Sequence, residues 1–122
     1  MNINHSAEEY LEQILILLES KGYARSVDIA AALNVKKPSV SVAMKKLREN
    51  GYIDMEKRGR ISLTDKGYPI ARRINDRHKT LVRFLVKLGV DEEIARKDAC
   101  RMEHELSNES FEAISSAFPM DA

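Results

Sequence analysis

The only cysteine of the chain lies in the stretch DACRMEHELS, residues 98–107, together with a glutamate and a histidine. The longer segment DEEIARKDACRMEHEL predicts a helix with Asp91 as its N-cap and acids in its first turn. Cys100, Glu103 and His104 then project from one side, because positions i, i+3 and i+4 are neighbours on a helix. Thiolate, carboxylate and imidazole all bind transition metals. Their mixture suits Fe²⁺, Mn²⁺, Co²⁺ or Zn²⁺ better than Mg²⁺ or Ca²⁺.

Three ligands rarely complete the coordination shell of such an ion, so further donors are expected elsewhere in the chain. Glu9 and Glu12 share one face of a predicted first helix, and His78 lies partway along a predicted long helix. Each residue type also has an ordinary explanation. Buried cysteines are usually small core residues, first-turn acids counter the helix dipole, and lone helical histidines are usually packed or at the surface. The metal-site hypothesis therefore depends on the fold that the rest of the chain predicts.

The N-terminal half predicts three short helices and a hairpin. Residues 7–20 place leucines and isoleucines at helical spacing, SVDIAAALN is short and alanine-rich, and KKPSVSVAMKKLRENG carries an apolar stripe. The predicted N-caps are Ser6 and Ser26, either Pro38 or Ser39 is predicted to open the third helix, and the predicted stops are Gly22, Asn34 and Gly51. The next segment, YIDMEKRGRISLT, alternates apolar and polar residues around KRGR, which indicates a two-stranded hairpin. This order of elements is that of a winged helix-turn-helix.

The C-terminal half predicts helices alone. A long helix is expected to begin at Thr64 or Asp65 and to end at Gly89, followed by the cysteine-bearing helix and by a short helix in NESFEAISSAF. Its apolar residues exceed what so small a lobe needs, which predicts a two-fold dimer interface. These residues are Leu81, Phe84, Leu85, Leu88, Ile94, Phe111, Ile114 and Phe118. The predicted fold is mainly α, with a winged helix-turn-helix DNA-binding domain at residues 1–70 and an all-helical dimerisation and metal-binding domain at residues 71–122.

The distribution of charge favours DNA binding. The chain has a net charge of only +1, but residues 36–60 hold eight basic and three acidic residues, a local net charge of +5. The third helix is expected to enter the major groove, with the hairpin along the phosphate backbone. The candidate DNA contacts are Lys36, Lys37, Ser39, Ser41, Lys45 and Lys46 on the helix, and Lys57, Arg58 and Arg60 on the hairpin. The alternative is a winged helix that contacts proteins and has a solvated basic face.

Composition excludes several classes of protein. At 122 residues, 43% hydrophobic and 32% charged, the chain is neither disordered nor embedded in a membrane. Its N-terminus lacks the basic and apolar regions of a signal peptide. A single cysteine cannot form an internal disulfide, so a cytoplasmic location is expected.

Several stretches together resemble the diphtheria-toxin-repressor family of metal-dependent transcriptional repressors, most closely its short, two-domain manganese-transport-regulator branch. The similarity covers nearly the whole chain. It runs through EEYLEQILILLESKGYARSVDIAAALNV, VSVAMKKLRENGYI, LTDKG, RH at residues 77–78, and DACRMEHELS. Some members end in a further SH3-like domain, for which no room is expected here. The resemblance implies a homodimer that binds a palindromic operator in double-stranded DNA and represses metal-uptake genes.

The resemblance also implies a metal site between the two domains. Glu9, Glu12, His78, Glu103 and His104 fall on positions that carry ligands in the manganese branch. The position of Cys100 is usually a glutamate there, but it is a cysteine in the iron-responsive branch, where a methionine stands at the position of Glu9. This hybrid set implies Fe²⁺ or Mn²⁺, with Zn²⁺ or Co²⁺ as substitutes in vitro. A second site of the iron branch is expected to be incomplete, because Val82 and Arg96 replace a glutamate and a histidine.

Three competing hypotheses remain open from the residues alone. The chain could be a winged-helix regulator that senses a small organic molecule independently of metal. It could be an enzyme with Cys100 and His104 as a thiolate–imidazolium pair, but no oxyanion hole or third orienting group accompanies them, so no enzymatic activity is predicted. The metal site could also be structural and permanently filled.

Overall fold

The computed structural model describes residues 4–118, which form six α-helices and one hairpin. The elements are α1 (His5–Lys21), α2 (Ser26–Leu33), α3 (Lys37–Glu49), β1 (Ile53–Met55), β2 (Ile61–Leu63), α4 (Tyr68–Lys87), α5 (Glu92–Glu105) and α6 (Asn108–Ala117). The chain divides into two compact units, Met1–Arg73 and Ile74–Ala122, and the division falls within α4.

The first unit is a winged helix-turn-helix, as the sequence predicts. Helices α1, α2 and α3 pack around one apolar cluster, to which the hairpin adds Ile53 and Ile61. Strands β1 and β2 pair antiparallel, with Asp54 opposite Ser62. A short 3₁₀ turn at Lys57–Gly59 lies between the strands, and the whole hairpin of residues 53–63 is the wing. The turn between α2 and α3 begins at Asn34, whose φ of 54° is the left-handed conformation that ends a helix.

Four predicted helix starts are wrong. The N-cap of α2 is Arg25 and not Ser26, and α3 begins at Lys37, before Pro38 and Ser39. The N-cap of α1 is Asn4 and not Ser6, because the Asn4 side chain accepts a hydrogen bond from the backbone N–H of Ala7 at 2.8 Å. Helix α4 begins at Tyr68, later than Thr64, because the Thr64 hydroxyl accepts from the N–H of Gly67 at 3.2 Å and so closes a separate turn. Gly67 is required in that turn, since a Cβ there would fall on the backbone carbonyl of Tyr52.

The second unit contains the rest of α4 together with α5 and α6. The Asp91 carboxylate caps α5 by accepting from the N–H of Glu93 at 3.2 Å, as predicted. Leu81, Ala95 and Ala99 are fully buried. Of the apolar residues predicted for a dimer interface, Leu88 and Ile94 are the most exposed, at 60% and 54%. Within residues 4–118, no helix has the length and apolar character needed to cross a membrane.

Candidate metal centre and DNA-binding surface

Glu103 lies at the centre of the candidate metal site in the second unit. Its side chain is completely buried on α5, and each of its two oxygens faces an imidazole nitrogen. The Oε2 atom lies 3.0 Å from Nδ1 of His78 on α4, and the Oε1 atom lies 3.3 Å from Nε2 of His104. The structure therefore brings three of the six predicted ligands together.

The chemistry of this cluster fits a divalent transition metal. A buried carboxylate is unfavourable unless a positive charge or hydrogen-bond donors compensate it. The His104 side chain is 1% exposed and that of His78 is 21% exposed, so both rings meet Glu103 largely away from water. Carboxylate and imidazole donors suit Mn²⁺, Fe²⁺ and Zn²⁺, and His–carboxylate pairs commonly orient metal ligands.

Cys100 lies one turn before His104 on the same helix. Its side chain is half-buried and forms no disulfide. Among the residues that the structure describes, its sulfur is not one of the donor atoms that cluster with Glu103 and His104. The assignment of Cys100 as a ligand therefore stays a prediction.

Arg77 holds this end of α5 against α4. The guanidinium is buried, donates from Nη2 to the backbone carbonyl of Leu106 at 2.7 Å, and lies 4.8 Å from the ring centre of Phe111. Leu106 is the C-cap of α5, so this contact fixes the turn that carries Glu103 and His104. The sequence does not predict this role of Arg77, which is notable there only as the neighbour of His78. Its hydrogen bond to Leu106 joins residues 29 positions apart, and no local pattern indicates such a contact.

In the first unit, the predicted ligands lie on α1. Glu12 is only 6% exposed, and Glu9 is half-buried one turn earlier. Glu12 directly follows Leu11, which is fully buried in the core. A glutamate is rarely this buried unless a cation or hydrogen-bond donors meet it. The acid in the first turn of α1 is Glu8, so the helix dipole does not account for Glu12.

The positions expected for a second metal line a cavity in the second unit that shares His78 with the cluster around Glu103. This cavity has a volume of about 210 Å³ and is lined by His78, Lys79, Val82, Arg83, Glu92 and Arg96. Arg96 pairs with Glu92 at 2.8 Å. Three cationic side chains against one carboxylate disfavour a cation here, and the incomplete second site stays a prediction.

The predicted DNA contacts lie on the exposed surface of the first unit. All nine side chains are exposed: Lys36, Lys37, Ser39, Ser41, Lys45, Lys46, Lys57, Arg58 and Arg60. Pro38 lies in the first turn of α3, where its missing N–H costs no helical hydrogen bond. The tip of the wing has Arg58 at φ 66° and Gly59 at φ 73°, which turns the chain sharply.

Two family models match the chain in sequence order. The model of the N-terminal DNA-binding domain of iron-dependent repressors matches residues 2–61. The model of the metal-binding and dimerisation domain of the same repressors matches residues 64–118.

Curated relatives agree with these matches. The transcriptional regulator MntR of Lysinibacillus sphaericus is 43% identical over 89% of this chain and 78% of its own length. MntR of Bacillus subtilis is 45% identical over 89% of this chain and 77% of its own length. An uncharacterised helix-turn-helix transcriptional regulator of Methanocaldococcus jannaschii is 40% identical over 92% of this chain and 91% of its own length.

Solved structures show the same fold. The IdeR of T. acidophilum is 31% identical with a TM-score of 0.82, over 93% of this chain and 54% of that one. A manganese-dependent transcriptional repressor in complex with manganese is 29% identical with a TM-score of 0.84, over 92% of this chain and 52% of that one. The chain thus spans about half the length of these structures. The family consists of regulators and not of enzymes, and the matches confirm the resemblance seen in the sequence. By both of its domains the chain belongs to the iron-dependent repressor family of metal-dependent DNA-binding regulators.

Proposed function

We propose that this protein represses metal-uptake genes when Fe²⁺ or Mn²⁺ is bound and releases its operator when the metal is lost. The observation that carries the proposal is the fully buried Glu103 carboxylate between the imidazoles of His78 and His104. Such a cluster needs a compensating positive charge, and a divalent ion supplies it when bound.

The proposed ligands come from both units. His78, Cys100, Glu103 and His104 supply donors from the dimerisation domain, and Glu9 and Glu12 supply carboxylates from the DNA-binding domain. The burial of Glu12 supports its inclusion. Hard carboxylate oxygens favour Mn²⁺ or Fe²⁺, whereas the thiolate favours softer ions, so Zn²⁺ and Co²⁺ are expected to bind in vitro.

Ligands on both units would couple metal binding to DNA binding. In a homodimer, the two α3 helices must be spaced about one duplex turn apart to read a palindromic operator. Without metal, Glu9, Glu12 and Glu103 would carry like charges that oppose the active arrangement of the units. The coupling is reciprocal, and typical couplings of about 1–3 kcal/mol correspond to roughly 5- to 150-fold in affinity.

Selection of bound sequences from a random-sequence duplex library tests this proposal. Metal-free protein is incubated anaerobically with the library in Mn²⁺, in Fe²⁺ or in excess chelator. We expect enrichment of a palindrome with half-sites about one turn apart, in the presence of metal only. The same sequence enriched equally in chelator would contradict the proposal and favour a regulator of another signal.

An anaerobic Co²⁺ titration tests the role of Cys100. If its thiolate is a ligand, the titration produces a sulfur-to-cobalt charge-transfer band with a defined stoichiometry, and Cys100→Ser abolishes this band. Because the chain has no other cysteine, no other thiolate can produce the band. Saturable d–d bands without the sulfur band would show a carboxylate–histidine site and leave Cys100 as a core residue.

A further inference from the structure

We propose that Arg25 and Arg60, held on the ring of Tyr23, form an additional binding site for a backbone phosphate of DNA. The inference rests on the proposed DNA-binding function and adds two residues, Tyr23 and Arg25, to the surface predicted from the sequence. Tyr23 acts as a positioning residue, whereas the two guanidiniums bind the phosphate.

Two guanidiniums lie against one aromatic ring in the first unit. The Cζ atom of Arg25 is 5.5 Å from the centre of the Tyr23 ring, and the Cζ atom of Arg60 is 5.4 Å from it. Both distances lie within the range of a cation–π interaction. Arg60 belongs to the wing, whereas Tyr23 and Arg25 precede α2, so the ring joins the charges of two separate segments.

Backbone hydrogen bonds fix both segments. The N–H of Ile61 on β2 donates to the carbonyl of Ala24 at 2.8 Å, which ties the wing to the turn before α2. The N–H of Arg25 donates to the Asp28 carboxylate at 3.2 Å, which holds the start of α2. The Nε atom of Arg25 is buried and makes no hydrogen bond within the part of the chain that the structure describes. Little conformational freedom is therefore lost when this pair binds a ligand.

The charges on this surface favour an anion. Two guanidiniums on one ring repel each other, and an anion between them would relieve that repulsion. The nearby Asp28 carboxylate already accepts from the N–H of Arg25 and lies 3.8 Å from the ammonium of Lys21. A phosphate accepts several charge-assisted hydrogen bonds from guanidiniums, often as bidentate pairs. Lys57 and Arg58 lie on the same wing. Because the wing of a winged helix lies along the DNA backbone, the anion expected at this site is a backbone phosphate.

The salt dependence of binding to a labelled random-sequence duplex of roughly 20 base pairs, about two helical turns, tests the inference. It is measured by fluorescence anisotropy with and without Mn²⁺. Arg25→Gln is expected to weaken binding roughly three- to tenfold and to reduce the slope of log K against log salt by about 0.9 for each phosphate that is no longer neutralised. Tyr23→Leu is expected to weaken binding without removing a charge, whereas Tyr23→Phe, which keeps the ring, binds like the wild type.

Lys97→Gln is the matched control, because it removes one exposed positive charge from α5 in the other unit. Urea unfolding of each variant checks the fold, and Arg25→Gln decides the question if Tyr23→Leu does not fold. If the wild type binds the duplex but Arg25→Gln has the same affinity and slope, this inference alone is overturned. If the wild type binds no duplex with or without Mn²⁺, the proposed function is overturned with it.

Discussion

Glu103→Gln is expected to abolish metal activation of DNA binding while leaving the protein folded. The carboxylate faces both His78 and His104, with one oxygen toward each ring. A glutamine keeps the shape but offers a neutral oxygen and an NH₂ group, which cannot replace a carboxylate in a transition-metal site. Loss of outer-shell partners costs about 10- to 100-fold in metal affinity, so loss of this ligand is expected to cost at least about 100-fold.

Calorimetric titration with Mn²⁺ measures the metal affinity of this variant, and thermal unfolding of the metal-free protein measures its stability. The melting temperature is expected to stay level or to rise, because the substitution removes a buried charge. Glu93→Gln, an exposed change in the first turn of the same helix, is the control and should retain wild-type metal affinity. A Glu103→Gln protein with wild-type metal affinity would mean that the ion binds elsewhere.

The fold could be predicted from the sequence because local signals and periodicity agree along most of the chain. The apolar stripe of α3, the stops at Gly22 and Asn34 and the alternation around KRGR each point to the same winged helix. The errors fell on helix starts, where several polar residues compete. Asn4 and Ser6 both have capping side chains, and only the folded backbone decides that Asn4 accepts from Ala7.

The site could be predicted only in part. The spacing of Glu103 and His104 on one helix is readable from the sequence, and so is their type as ligands. The approach of His78 to Glu103 is not readable, since it joins residues 25 positions apart and depends on how α4 packs on α5. The sequence predicts Arg60 as a DNA contact but not its meeting with Arg25 on the ring of Tyr23, because that contact joins residues far apart in the sequence and has no periodic signal.

Glu12→Gln is expected to weaken metal activation of DNA binding while leaving the metal-free dimer intact. Glu12 lies on α1 in the DNA-binding domain, and its low exposure of 6% marks it as more than a helix-dipole acid. If this carboxylate is a ligand, its loss removes one of the two carboxylates that the DNA-binding domain is proposed to supply and leaves Glu9 and the donors of the dimerisation domain. The ratio of DNA affinities with and without metal should then fall from a typical 5- to 150-fold toward about one.

Operator binding by fluorescence anisotropy, in Mn²⁺ and in chelator, gives this ratio, and sedimentation equilibrium gives the state of the dimer. Glu19→Gln provides the control, because Glu19 is an exposed carboxylate on the same helix and its loss changes the charge equally. Glu103→Gln should remove metal binding itself, whereas Glu12→Gln should leave weaker metal binding that is less strongly coupled to the DNA-binding domain. Full metal activation in Glu12→Gln would exclude Glu12 as a ligand and require another route of coupling to the recognition helix.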